Sequence, residues 1–190
     1  MAATLCLAPF VLALTACGSW GRPGNPAPQT GETLIQALDV GAAYRRIGRM
    51  TGTGATPFVA DVVFLAGPGD STVAVVGVSL ENANLSFQRE TDYFVAHYRV
   101  DLSAQPVSGG APLTRGRDQA VRVSTFPETQ RSDESVLFQE GLTLAPGEWN
   151  LTVTVTDATP GKNGKATAKY TVPRFGAGTF TPPILTYQVR

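Results

Sequence analysis

Alternation of apolar and polar residues with a period of two is the feature that most constrains this chain. The clearest case is the stretch 148–156. Its apolar set is Trp149, Leu151, Val153 and Val155, and its polar set is Asn150, Thr152, Thr154 and Thr156. Successive side chains of a strand point to opposite faces, so this stretch is predicted to be a half-buried β-strand with one wet face.

Similar runs predict further strands. They lie at 58–64, 74–80, 93–102, 119–126, 135–144, 166–172 and 184–189. No helical pattern separates them, which excludes a doubly wound parallel sheet. We therefore expect an all-β fold over 56–190, an antiparallel sandwich of 7–8 strands like an immunoglobulin or fibronectin type III domain. A sheet closed on itself is the alternative.

The connections are short except for one. Residues 103–118 contain several Gly and Pro residues and are predicted to form an exposed loop or a bulged edge. The core is expected to contain the large side chains of the inward rows, Phe64, Tyr98, Phe138 and Trp149.

Composition excludes some partners. The chain has 190 residues, 43% of them hydrophobic and 16% charged, which argues against disorder. Its 15 basic and 15 acidic residues give a formal net charge of zero. No basic field is available to hold a nucleic acid, so none is expected as a partner.

The N-terminus has the features of an export signal. Residues 2–17 carry no charge and are nearly all apolar or small, and Pro9 interrupts them. As a helix they would span about 24 Å, less than the bilayer core of about 30 Å. This length and the small residues at its end indicate a signal peptide over 1–16 rather than a membrane span.

The end of this segment resembles the lipobox of bacterial lipoproteins. The matching residues are Leu14, Thr15, Ala16, Cys17 and Gly18. The resemblance implies cleavage before Cys17 and lipidation of its sulfur and amino group. Residues 17–32, rich in Pro and Gly, would then be a flexible tether. Gly18, rather than Asp, favours the outer membrane by the sorting rule of some Gram-negative bacteria.

Two further predictions follow for the mature chain. Cys6 would leave with the signal, so no free thiol would remain for a disulfide, a metal site or a nucleophile. Residues 33–52 are predicted to form an amphipathic helix, with Arg45, Arg46 and Arg49 in its last turn near the negative end of the helix dipole.

The search for catalytic or metal-binding groups is negative. His97 is the single histidine, and Asp101, four strand residues away, is about 13 Å from it, too far for a hydrogen bond. Glu128, Asp133 and Glu134 fit a polar hairpin loop with local ion pairs better than a glycosidase pair. We therefore predict no catalytic residues, no metal and no cofactor.

Weaker candidates remain for binding. Asp157 and Asn163 could be imagined as calcium ligands, but no EF-hand loop accompanies them. Tyr44, Tyr93 and Phe126 are the candidates for a carbohydrate surface, because most other aromatic residues fall on inward rows.

The chain from residue 44 onward resembles the region that precedes the Gly-Trp-X-Thr-Asp domain of bacterial GWxTD proteins. The matching stretches are YRRIG (44–48), PFVADVVFLAGPGDST (57–72), VSLENANLSFQRE (78–90), VRVSTFPETQRSDESVLFQEGLTLAPGEWNLTVTVTD (121–157) and VPRF (172–175). The naming motif is absent, so the resemblance implies the N-terminal part of a longer lipoprotein and carries over no catalytic residues.

The expectation for function is a lipid-anchored protein of the bacterial envelope. Its β-sandwich would be a non-catalytic interaction or scaffolding module, with a protein partner or a missing C-terminal domain. Binding would use an unpaired strand edge or the 103–118 loop. The alternative is a carbohydrate-binding or hydrolase accessory domain, which requires exposed coplanar aromatics or two carboxylates in a cleft.

Overall fold

The computed structural model describes residues 39–133, 135–176, 178, 179, 181 and 183. They form nine strands, two short helices and one 3-10 turn, Asn82–Asn84. The helices are α1 (Val40–Arg46) and α2 (Phe126–Thr129). The strands are β1 (Met50–Gly54), β2 (Phe58–Ala66), β3 (Thr72–Glu81), β4 (Gln88–Arg89), β5 (Phe94–Pro106), β6 (Leu113–Val123), β7 (Ser135–Leu144), β8 (Gly147–Asp157) and β9 (Asn163–Val172).

All the pairings of these strands are antiparallel and belong to one curled sheet. Its order is β4-β5-β8-β9-β1-β2-β3-β7, and β6 pairs with the other side of β5. β1 pairs with both β2 and β9, so it joins the layer β1-β2-β3-β7 to the layer that contains β5, β8 and β9. No hydrogen-bonded ladder joins β6 to β7 within the described residues, so the sheet stays open there. The predicted all-β sandwich is confirmed.

The two layers enclose one apolar core. Alternate residues of β3 are buried, Ala74, Val76, Val78 and Leu80, and each is at most 1% exposed. The facing layer contributes the buried rows of β5 and β8. Burying a side chain of this size stabilises the fold by about 1.5–3 kcal/mol before the entropy cost is subtracted.

The large side chains expected in the core differ in their burial. Tyr98 and Phe138 are each 4% exposed. Phe64 and Trp149 are only partly buried and pack against the edge of the core. The indole Nε1 of Trp149 donates a hydrogen bond to the carbonyl of Ala145 at 2.9 Å, which holds the ring at the end of the β7–β8 hairpin.

Close backbone approach shapes the junction at β1. Gly54 ends β1 with a φ of +126°, a region that side chains disfavour. Gly164, its partner on β9, lies so near the carbonyl of Thr56 that a Cβ there would overlap the oxygen. Both positions therefore require glycine for β1 to pass between the layers.

The predicted helix over 33–52 is wrong in its C-terminal part. Helix α1 ends at Arg46, and the chain turns at Gly48, whose φ is +82°. Residues 50–54 are strand β1 instead, so the sheet begins before residue 56. Residues 33–38, and likewise the predicted strand 184–189, lie outside the described part of the chain.

Of the two alternatives for 103–118, a loop over the whole stretch is wrong, whereas an edge is found at 113–118. Strand β5 continues to Pro106, only 107–112 form a loop, and β6 begins at Leu113. The strand predicted at 119–126 is the second half of β6, which ends at Val123. Because β6 is an edge strand exposed along most of its length, it carries little of the alternation that predicted the other strands.

The β1 junction yields the first prediction. Gly164→Ala forces the new Cβ against the Thr56 carbonyl, and we expect a loss of about 1–3 kcal/mol in the free energy of unfolding. Gly77→Ala is the matched control, since nothing lies within 4 Å of a Cβ at that strand position. Urea denaturation of both variants measures the difference. Equal stabilities would contradict the described contact.

Candidate functional site: the edge of strand β6

The predicted lipidation site lies outside the described residues. This applies to Cys17 and to the cleavage motif Leu14, Thr15 and Ala16. No helix in the described ranges is both long and apolar enough to cross a bilayer.

His97 and Asp101 do not form a catalytic pair. His97 is exposed on the outer face of β5, as the alternation predicts. The Asp101 carboxylate instead accepts a hydrogen bond from Arg99 at 2.9 Å, and Arg99 also donates to Asp118 on β6 at 3.1 Å. Asp118 and then Asp101 raise the pKa of the Arg99 guanidinium. This surface cluster ties β6 to β5.

The carboxylates of the β6–β7 connection have local partners. Glu128 accepts hydrogen bonds from the backbone N–H groups of Thr125 and Ser124 at 3.0 and 2.7 Å, which lower its pKa. It thereby completes the capping box of α2, a helical turn where only a polar loop was predicted. Arg131 makes two hydrogen bonds to Asp133 and lowers the pKa of that carboxyl. The side chain of Glu134 is outside the described set.

Asp157 serves as a buried anchor between loops. It is 3% exposed, and its two oxygens accept hydrogen bonds from the backbone N–H groups of Ser86 and Thr159, both at 2.7 Å. Burial alone would raise the pKa of Asp157, but these hydrogen bonds outweigh it and the pKa is lowered. In the described portion of the chain, no three His, Cys, Asp or Glu residues gather as a metal site.

Each of the candidate carbohydrate-binding aromatics has a different side-chain neighbour. Tyr44 on α1 lies under the guanidinium of Arg49 at 5.8 Å, and Tyr93 lies under that of Arg122 at 5.6 Å. Phe126 is 61% exposed and lies 5.9 Å from Phe94. The planes of these two rings are inclined by 59°, so the pair does not form a flat stacking platform.

The long outer edge of β6 is the most distinctive exposed surface. The strand has eleven residues, and only β5 pairs with it among the described strands. Arg117 reaches across to β7 and forms an ion pair with Glu140 at 2.6 Å, so a side-chain contact bridges the opening between β6 and β7. The sequence predicted binding through an unpaired strand edge or through the 103–118 loop, and left open which of the two it is, because the exposed first half of β6 has no buried row to mark it.

Asp157 generates a pH-dependent prediction. Asp157→Asn removes the charged acceptor, and we expect a loss of about 1–3 kcal/mol in unfolding free energy at pH 7. A lowered folded-state pKa contributes stability above the unfolded pKa of about 3.9 and loses it as pH falls through the folded value. The deficit of the variant should therefore be largest at neutral pH and shrink below pH 4.

Urea melts at pH 7 and pH 3 measure this deficit. Asp92→Asn is the control, since Asp92 is exposed and makes no hydrogen bond to the described residues. A deficit of Asp157→Asn that stays constant between the two pH values would show that the carboxylate is not the anchor.

Comparisons with known proteins add no family. No protein-family model, curated protein sequence or solved structure matches this chain. The fold class therefore rests on the strand pairing and the buried rows. The resemblances to bacterial lipoproteins and to the GWxTD region stay predictions from the sequence.

Proposed function

We propose that this chain is a lipid-anchored protein of the bacterial cell envelope whose β-sandwich is a non-catalytic interaction module. The observation that carries the interaction role is the exposed outer edge of β6. An unpaired edge offers a row of backbone N–H and C=O groups to an extended segment of another protein.

The charged side chains of β6 favour an edge that pairs selectively over one that pairs with any exposed strand. Arg115, Arg117, Asp118 and Arg122 lie along the strand, and charged side chains discourage unspecific edge-to-edge pairing. Arg117 and Asp118 are engaged in ion pairs with Glu140 and Arg99. A partner must therefore match the remaining basic charges as well as the backbone.

The proposed anchor is the lipidated sulfur and amino group of Cys17. Three acyl chains exceed the two membrane signals usually needed for stable attachment. Residues 17–32 would hold the module away from the bilayer, and Gly18 favours delivery to the outer membrane. The similarity to the region before the GWxTD domain adds the proposal that the module works beside such a domain.

Metabolic labelling tests the anchor. Cells that express the chain and receive radioactive palmitate should yield a labelled protein in the membrane fraction. Cys17→Ala removes the sulfur that accepts the lipid, so this variant should be unlabelled and uncleaved. Cys6→Ala is the matched control and should keep both the label and the cleavage. A labelled Cys17→Ala variant, or an unlabelled original chain, would overturn the anchor.

Site-specific cross-linking tests the interaction role. A photoreactive residue at Ala120, exposed on β6, should give one discrete cross-linked product in the envelope of living cells. The same residue at Lys169, exposed on the inner strand β9, is the control and should give none. Equal products from the two positions would contradict a binding role for the β6 edge.

A further inference from the structure

A cleft of about 350 Å³ lies at the α2 end of the opening between β6 and β7. Val121 and Val123 of β6 line one side, and Ser135 and Val136 of β7 line the other. Asn82 of the 3-10 turn and Glu128 of α2 complete the lining. The Arg117–Glu140 ion pair lies farther along the two strands, beyond the end of the cleft that is away from α2. The cleft is therefore bounded by α2 on one side and by this ion pair on the other.

Asn82, which lines this cleft, has a buried hydrogen-bond acceptor without a partner among the described residues. Asn82 is only 2% exposed, and its Nδ2 donates to the carbonyl of Glu128 at 3.3 Å. Its Oδ1 has no hydrogen-bond partner among the described residues. Leaving such an acceptor unsatisfied is costly, so a ligand that brings an N–H group to Asn82 gains the hydrogen bond.

The backbone beside the cleft is also unpaired. Ala158 donates a hydrogen bond to the carbonyl of His97 at 2.9 Å, so His97 directs its backbone groups toward β8. Backbone direction alternates along an antiparallel strand, so Ala96 faces β6 and bonds its partner Val121. The neighbours of Val121, Ala120 and Arg122, therefore direct their N–H and C=O groups away from β5, toward the opening.

The side chains around this edge define the ligand further. Val121, Val123 and Val136 are half-buried and face inward, which suits apolar residues at alternate positions of an added strand. Arg122 is exposed on the other face and has no carboxylate within ion-pair distance in the part of the chain that the structure describes. A carboxylate directly opposite Arg122 on an added strand would neutralise it.

We propose that this cleft binds an extended acidic segment of a partner protein, which adds as a strand to β6. The segment donates an N–H to Asn82, pairs with the outward backbone groups of Ala120 and Arg122, and places a carboxylate opposite Arg122. From Ala120 to Val123 the edge spans about 10 Å, so about four residues are bound. This inference rests on the proposed interaction role and names the site and chemistry of the partner.

Binding of a defined peptide to the full chain in detergent micelles tests the site. The probe is fluorescein-labelled Thr-Val-Asp-Val-Thr, measured by fluorescence anisotropy. Two further peptides carry Lys in place of Asp, or Pro in place of both Val residues. We expect the Asp peptide to bind and the Lys peptide to bind at least tenfold more weakly. The Pro peptide should also bind at least tenfold more weakly, because Pro has no N–H group to donate to Asn82 on the side away from β6.

Four variants locate the binding. Ala120→Pro removes an outward N–H without touching the β5 ladder and should abolish binding, whereas Thr114→Pro, at the far end of the same edge, should leave it unchanged. Asn82→Leu should weaken binding about five- to tenfold. Arg122→Glu should reverse the preference from the Asp peptide to the Lys peptide. Arg122 is exposed, and its contact with the ring of Tyr93 lies outside the buried core.

The outcomes separate this proposal from the function on which it rests. Three results would each overturn the proposed binding in the cleft: no peptide binding, equal binding of the Pro peptide, or an unchanged preference in Arg122→Glu. The proposed lipid anchor would still stand if palmitate labels the protein. Concentration-dependent self-association of the chain in sedimentation, abolished by Ala120→Pro, would assign the edge to a second copy and overturn the acidic partner.

Discussion

A single apolar core shared by two layers is the constraint on which the rest of this structure depends. The buried rows of β3, β5, β7 and β8 face one another, and one strand, β1, joins the layers by pairing on both sides. Because the sheet curls around the core from this one junction, it must have two ends. Those ends are β6 and β7, so packing of the core leaves an open edge at a defined place.

The open edge is stabilised by polar contacts rather than by a backbone ladder. Arg117 and Glu140 bridge it, and Arg99 ties Asp118 of β6 to β5. These groups are largely exposed, so each ion pair contributes little to stability. Their effect is on specificity, because they keep the edge charged and limit the segments that can pair with it. At the α2 end of the opening, the Oδ1 of Asn82 has no hydrogen-bond partner among the described residues, which favours a segment that donates an N–H group there.

Sequence alternation predicted the strands that have a buried apolar row well and the strands without one badly. The expected strand 135–144 coincides with β7, and the row Ala74, Val76, Val78 and Leu80 is buried as predicted. The first half of β6 was not predicted as a strand because residues 114–118 are all exposed, so no apolar row marks it. β1 was assigned to a helix because its Gly-containing stretch MTGTG carries little local preference, and its pairing with two distant strands decides its conformation.

By itself, the sequence determined that the fold is mostly β and antiparallel, which alternating rows face the core, and that the formal net charge is zero. Those properties follow from local periodicity and composition. Only the tertiary structure decided that Asp157 anchors two loops, and that, within the described part of the chain, the buried Asn82 oxygen has no partner and β6 and β7 do not pair with each other. These depend on contacts between residues far apart in the chain, since an antiparallel pattern permits many strand orders and leaves the free edges unspecified.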